Sequence, residues 1–340
     1  MVLYVGCRSA HLVNIEFLNT LRERNDIKKI MFLNEQEHNY MNFGDENTLN
    51  FHNMIAWATE KNIEITIING SRSTTKPMHD TTDPKYHCIK NIISWETAFF
   101  NVASHGFSKM IDRENKDFYL NSPEDIKYTL VSLNNKPHMH RCFMMDMLQK
   151  YGLVENQAIS WINTTDMPGY FVTNFEFKYW QEKKQTLTDT YNEIPDSYKM
   201  MPAEYYSSFI QVVNESTMLC DFITEKTTMP LFLKKPFVVL NTKNYNFWLK
   251  ELGFELYEEI FDYSFDSIDN FQDRFEAGVI EIARINSMSR EKQFMLYKEI
   301  IPKLEHNKKL AIQLSVQTPE ILKPVTNGTL VDHTVKILEN

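Results

Sequence analysis

No stretch of this chain reaches 18 consecutive apolar residues, and its first residues, MVLYVGCRSAHLVNIEF, carry no basic run leading into an apolar core. The sequence therefore predicts neither a membrane-spanning helix nor a secretory leader, and a soluble, cytoplasmic protein is expected. Cysteine is scarce too. Cys7, Cys88, Cys142 and Cys220 are scattered without a C-x-x-C pair, which suits a reducing compartment and disfavours a structural zinc site. In that setting the N-x-S/T sequons that begin at Asn163, Asn214 and Asn327 are chance matches. Basic charge is in deficit, with 36 Lys and Arg against 45 Asp and Glu and a net charge of −9. Broad adhesion to nucleic acid or to an anionic membrane needs a basic face, so only a local basic cleft stays open. Internal repeats and low-complexity tracts are also missing.

What is present fits a globular protein. Hydrophobic residues make up 43% of the chain and charged residues 24%, far from a disordered composition. A length of 340 residues allows two domains, each with its own core. From Met1 to about Ser122 the pattern alternates. Val2 to Val5, Lys29 to Leu33, Ile63 to Ile68 and Ile89 to Ser94 read as strands, with amphipathic helices at Asn14 to Arg24 and Leu49 to Lys61. This outlines a doubly wound parallel sheet. Ser71 to Lys85 is dense in Ser, Thr, Asp and Pro and reads as a long loop.

The break at Asn121-Ser122-Pro123 sets the expected boundary, giving domains 1–122 and 123–340. Beyond it come a strand at Tyr128 to Leu133, a helix bearing Arg141, a strand at Ala158 to Ile162, and an aromatic-rich region from Pro168 to Tyr206. The last third reads as helical, at Tyr245 to Glu251, Asp266 to Ile285, Arg290 to Glu305 and Pro319 to Leu338.

Between these regions lies FIQVVNESTMLCDFITEKTTMPLFLKKPFVVL, Phe209 to Leu240. β-Branched and aromatic runs at either end flank a polar crossing in which Asp221 or Thr224 can cap a helix that contains Pro230. That is half of a parallel α/β unit. Anions and nucleotides bind at the carboxyl ends of such strands, where free backbone N–H groups and the helix dipole point.

The stretch resembles the donor-binding motif of the α-1,3-fucosyltransferase family, approximately F-x-x-x-F-E-N-S, then D-Y-I-T-E-K, then a P-V-V-L strand. The matching residues are Val213-Asn214-Glu215-Ser216, Asp221-Phe222-Ile223-Thr224-Glu225-Lys226 and Pro236-Phe237-Val238-Val239-Leu240. Here the Glu-Asn order is reversed, and the spacings around Thr224-Glu225-Lys226 differ by one or two residues from the family's. Tyr128 to Asn134, Arg141 and the run to Tyr151 look like the V-S-N strand, Arg-bearing helix start and L-x-x-Y that open the family's donor domain. The resemblance spans about 130 residues, from Tyr128 to about Asp262. It implies an α/β chain of two Rossmann-like domains facing a cleft (GT-B-like), a nucleotide-sugar donor on the second domain and a hydroxyl acceptor against the first. In many such enzymes a final helix returns to the first domain, and Leu330 to Leu338 is a candidate for that return. Eukaryotic relatives carry a Golgi anchor, so a chain without one suggests a bacterial or viral setting, in the cytoplasm of the bacterium or the infected host cell.

Transfer from a nucleotide sugar leaves a diphosphate with added negative charge, which calls for cations or helix N-termini at the phosphates. The resemblance assigns Lys226 and Arg141 to the phosphates and Glu225 to the donor ribose. The bland reading is a surface Glu-Lys pair and an exposed Arg. Asn214 stands where the family has Glu, and either it or Glu215 can face the ligand or cap a turn. An inverting transferase also needs a general base. Glu35, Glu37, Glu96 and His11 lie near strand ends in the first domain, and Glu96, beside Trp95, is favoured because burial against an aromatic raises a carboxyl pKa. Its bland reading is a first-turn helix Glu.

His138 and His140 would share one side of a strand but lack a third ligand, and no D-x-D stands at a strand end, so no metal and no cofactor is expected. Asp262, Asp266 and Asp269 form an acidic cluster of a kind that could bind Mg²⁺, but Asp266 or Ser264 is expected to cap the long helix that follows and the others to stay solvated. Phe171, Phe175, Phe177, Tyr179, Trp180, Tyr205 and Tyr206 could wall an acceptor site or simply fill a core. The function expected is a metal-independent glycosyltransferase acting on a glycan or other hydroxyl acceptor. The alternatives are a phage-type enzyme that glycosylates modified DNA bases, which would make nucleic acid the acceptor, and a noncatalytic binding protein on the same fold.

Overall fold

A computed structural model of the chain describes residues 2–7, 15–34, 46–70, 72, 87–98, 100, 117–134, 138–161, 201–216, 218, 221–317, 319–322 and 335–338. They belong to two compact units. The first holds Met1–Val102, Leu219–Ile223 and Leu314–Asn340, and the second holds Ala103–Met218 and Thr224–Gln313. The division thus falls after Val102, ahead of the sequence break at Ser122. Asn121 and Ser122 belong to a local turn, where both amides donate to the Asp125 carboxylate.

The first unit carries β1 (Val2–Cys7), β2 (Lys29–Asn34), β3 (Glu64–Asn69), β4 (Ile89–Ser94) and β9 (Val335–Leu338) in the order β4-β3-β2-β1-β9. β1 to β4 run parallel and β9 pairs antiparallel with β1. Each parallel step goes the same way along the sheet. Because such crossovers are right-handed, α1 (Ile15–Arg22) and α2 (Glu46–Glu60) share one face. Leu18 and Leu21 of α1 and Phe51, Met54, Ile55 and Ala58 of α2 pack there with Ile30, Phe32, Ile65 and Ile67 of the sheet. β3 is buried along nearly its whole length, as a central parallel strand must be. In β4, Lys90 and Asn91 are exposed, which suits an edge.

Two expectations are corrected here. Among the described residues the first sheet winds in one direction only, because the strand beyond β1 is β9 and not another crossover product. The described residues of Pro319 to Leu338 hold no α-helix: Glu320–Leu322 forms a 3-10 turn and Val335–Leu338 is a strand. The chain does return to the first unit, as an antiparallel strand.

The second unit holds β5 (Tyr128–Asn134), β6 (Ala158–Trp161), β7 (Ser208–Val213) and β8 (Phe237–Val239), all parallel, in the order β6-β5-β7-β8. The chain begins mid-sheet, steps out to β6, crosses back past β5 to β7 and continues to β8. This winding reverses between β5 and β7, so their carboxyl ends form the topological switch point where open α/β sheets bind ligands.

Its helices are α3 (Met139–Lys150), α4 (Ala203–Tyr206), α5 (Glu225–Phe232), α6 (Tyr245–Glu251), α7 (Phe271–Asn286) and α8 (Arg290–Ser315). Phe143 of α3 meets Phe271 and Phe275 of α7 edge-on, at ring separations of 5.6 and 6.3 Å. Gly152 (φ 68°) and Gly253 (φ 99°) close α3 and α6 in the left-handed conformation, and the residue after each donates back to Leu148 or Leu249. The long helix α7 is capped by Asn270, whose Oδ1 accepts from the Gln272 and Asp273 amides, and not by Asp266 or Ser264. Among the described residues no helix is long and apolar enough to cross a membrane.

Candidate functional site

The start of α5 is fixed by one buried carboxylate. Thr224 caps the helix, its Oγ1 accepting from the Lys226 amide at 3.3 Å. Glu215, just past the end of β7, accepts at Oε1 from the Thr224 amide at 3.1 Å, the Thr227 hydroxyl at 2.5 Å and the Tyr245 hydroxyl at 3.3 Å. Its Oε2 takes the Thr224 hydroxyl. Burial pushes the Glu215 carboxyl above its ordinary pKa, and the Lys226 charge and the threonine hydroxyls oppose that rise. On the backbone side, the Glu215 carbonyl accepts from His140 Nε2 at 2.8 Å and Arg141 Nη2 at 3.1 Å. Burial and then the Arg141 charge hold His140 well below its usual pKa, so the ring is neutral with its proton on Nε2.

The next residues face the switch point. Lys226 Nζ donates to Ser216 Oγ at 2.8 Å and to Glu225 Oε1 at 2.5 Å. The Glu225 and Lys226 side chains keep 17% and 19% of their surface exposed, so the pair is sheltered but reachable. Burial works to raise the Glu225 pKa, but the Lys226 charge and hydrogen bond, with the charge of Arg141 behind them, bring it below the ordinary value. Asn214 is 3% exposed. Its Nδ2 reaches Met144 Sδ at 3.4 Å, and its Oδ1 is buried with no hydrogen-bond partner.

Leu133 of β5, Gln211 to Asn214 of β7 and its end, and Glu225, Lys226 and Met229 of α5 together line a notch of about 20 Å³, room for one water-sized group. A wider hollow of about 590 Å³ lies beside Phe247, Leu256, Tyr263 and Arg284. It is off the strand ends and its charges are paired, Glu258 with Lys250 and Lys303, and Arg284 with Glu281.

Four of the five residues singled out from the sequence therefore gather in the second unit: Arg141, Asn214, Glu225 and Lys226. Arg141, 3% exposed, is buried rather than on the surface. It reaches the site through the Glu215 carbonyl and through its charge. Of the reversed pair, Glu215 turns inward to hold α5 and Asn214 packs against α3. Glu96 belongs to the first unit, in the turn after β4, where it is half-buried and accepts from the Ser94 hydroxyl at 3.2 Å.

His138 and His140 are not on a strand. They stand at the start of α3 with rings stacked 5.9 Å apart, and among the described residues no group of three His, Cys, Asp or Glu is placed to hold a metal. The acidic cluster splits into separate tasks. Asp262 caps the 3-10 turn Tyr263–Ser267, Asp266 accepts from the Asn246 and Phe247 amides at the start of α6, and Asp269 pairs with Lys243. Tyr205 is core, while 73–85, 168–200 and 330–334 lie outside the described residues.

Sequence reasoning missed Gln211, although a carboxamide inside the apolar run of β7 was the available signal. No family model, curated protein or solved structure matches this chain. The chemistry of the site rests on its own geometry. A cation at Lys226, the dipole of α5 and the Arg141 charge favour an anion at the strand ends, and Glu225 beside them offers a carboxylate to hydroxyl groups.

Proposed function

We propose that the second unit binds the diphosphate and nucleoside of a nucleotide sugar, and that the chain is a metal-independent, inverting glycosyltransferase on the GT-B-like plan, passing the sugar to a hydroxyl acceptor. The observation that carries this reading is the placement of Thr224-Glu225-Lys226 at the β5/β7 switch point. The resemblance to the fucosyltransferase donor motif falls on the same residues, which supports the reading from a second direction. In this scheme Lys226 contacts the phosphates, Arg141 strengthens the field from beneath, and Glu225 accepts from ligand hydroxyls. Glu96 is the base that takes the acceptor proton as the sugar's anomeric carbon bonds to the acceptor oxygen and the diphosphate departs with the bonding electrons.

Calorimetry with GDP, UDP, CDP and dTDP tests the binding half. At least one should bind, and Lys226→Ala should weaken it by about tenfold or more while the fold persists; unchanged affinity would sink the assignment. Release of diphosphate from the matching nucleotide sugar then separates a transferase from a binding protein that lacks the chemistry.

A further inference from the structure

The notch beneath the start of α5 holds more acceptors than the scheme above uses. Gln211, in the middle of β7, is 4% exposed and its Oε1 has no hydrogen-bond partner. Asn214 Oδ1 is in the same condition, and both residues line the notch together with Glu225. A folded protein almost always pairs a buried polar atom, so two unpaired carboxamide oxygens beside one small cavity mark a place that a partner fills. Phe209 and Val213, which share its face of β7, are apolar and buried, so the Gln211 amide stands as a polar group in an otherwise apolar row.

Resting on the nucleotide reading of this site, we propose that the notch recognises one hydrogen-bonding group of the nucleoside, either an amino group that donates to both Gln211 Oε1 and Asn214 Oδ1 or a hydroxyl that donates to Gln211 Oε1. The size matches, since about 20 Å³ admits one such group and nothing larger. The polarity matches as well. Phosphate oxygens only accept hydrogen bonds, so they cannot satisfy two carbonyl oxygens and a carboxylate. An amino group donates to both carboxamide oxygens through its two N–H bonds, whereas a hydroxyl donates its one proton to one of them and can still accept from the neighbouring Lys226 ammonium. The work is thereby divided, with Lys226 holding the diphosphate and Gln211 reading the nucleoside.

The experiment is calorimetric titration of the full chain with GDP, UDP and CDP, their 2′-deoxy forms, and inorganic pyrophosphate. Gln211→Leu, close in volume, removes the acceptor, and Gln211→Met serves as a second variant if the first melts early. The best-binding nucleoside diphosphate should lose about tenfold in affinity, while pyrophosphate should bind within twofold of the wild-type protein. A 2′-deoxy form that binds wild type and variant alike assigns the donor to the 2′-hydroxyl; equal losses for ribo and deoxy forms assign it to the 3′-hydroxyl or to a base amino group. Unchanged nucleoside diphosphate affinity in a folded variant would show that the notch holds an ordered water only, and a parallel loss for pyrophosphate would equally overturn the proposal. Binding that falls with Lys226→Ala but not with Gln211→Leu defeats this inference alone, whereas a wild-type chain that binds none of the nucleotides defeats the parent reading as well.

Discussion

Replacing Glu215 tests whether one buried carboxylate holds the start of α5 in place. Alanine would leave the Thr224 amide and the Thr224, Thr227 and Tyr245 hydroxyls facing a cavity. Each stranded donor costs about 1–3 kcal/mol, and the missing methylenes add a cavity term. Hydroxyl rotation and an entering water recover part of that sum, which leaves about 3–5 kcal/mol, the usual cost of removing one partner from a buried charged network. Glutamine keeps the volume and one acceptor oxygen. Its amide group would meet Thr224 Oγ1, which already accepts from the Lys226 amide and must turn its own proton elsewhere. Exchanging charged for neutral hydrogen bonds, less the relief of not burying a charge, predicts a loss of about 1–2 kcal/mol. Urea unfolding followed by far-UV circular dichroism measures both variants against the wild-type chain. A cost for Glu215→Ala below about 1 kcal/mol, or equal costs for alanine and glutamine, would refute the reasoning.

Two further predictions concern buried ionisable groups of the second unit. Burial lifts the Asp266 carboxyl from 3.8 to about 6, against the pull of Asn246 and Phe247. The folded chain therefore binds this proton more tightly than the unfolded one, so the contribution is full below pH 3.8 and lost as pH rises through about 6. Wild-type stability should fall across that window by an amount on the order of 3 kcal/mol from this group, and Asp266→Asn should lack that component; identical pH slopes in chemical denaturation would contradict it. The Lys235 ammonium is buried with no carboxylate paired to it among the described residues, donating to the Tyr205 and Ser208 carbonyls and to Ser208 Oγ, and it lies 3.6 Å from the centre of the Phe118 ring. Lys235→Met keeps the volume and removes a buried charge, whereas Lys235→Ala opens a cavity, so the methionine variant should be the more stable by at least about 2 kcal/mol. Thermal melts that rank alanine above methionine would count against this packing.

Of the nine strands among the described residues, eight were legible in the sequence because a strand in a parallel sheet is an apolar run between turn residues, as in Glu64–Asn69. The ninth was not. Val335–Leu338 is interrupted by Lys336, and in the sequence Val331, Val335 and Leu338 stand at helical spacing, which is why the tail read as helix. Caps were legible at Thr224 but not at Asn270, where nearby Asp and Ser residues offered equivalent signals and tertiary contacts drew Asp266 to α6 instead. At the site, Glu225 and Lys226 were readable as adjacent polar residues after a strand. Which of Asn214 and Glu215 turns inward depends on Thr227 and Tyr245, 12 and 30 residues further on, and no local pattern carries that information.

The pairing of β9 with β1 joins Val2–Val5 to Val335–Leu338, contacts separated by almost the whole chain. For a polypeptide made from its amino end, this means that β1 waits as an open sheet edge while the entire second unit is synthesised. Closing a loop that large is slow, and an uncovered apolar edge is where strands of neighbouring molecules add. The first unit is therefore a late-maturing body whose assembly is timed by the arrival of four residues, and its yield should depend on chain concentration and on chaperones more than that of the second unit, whose sheet is made entirely from β5 to β8.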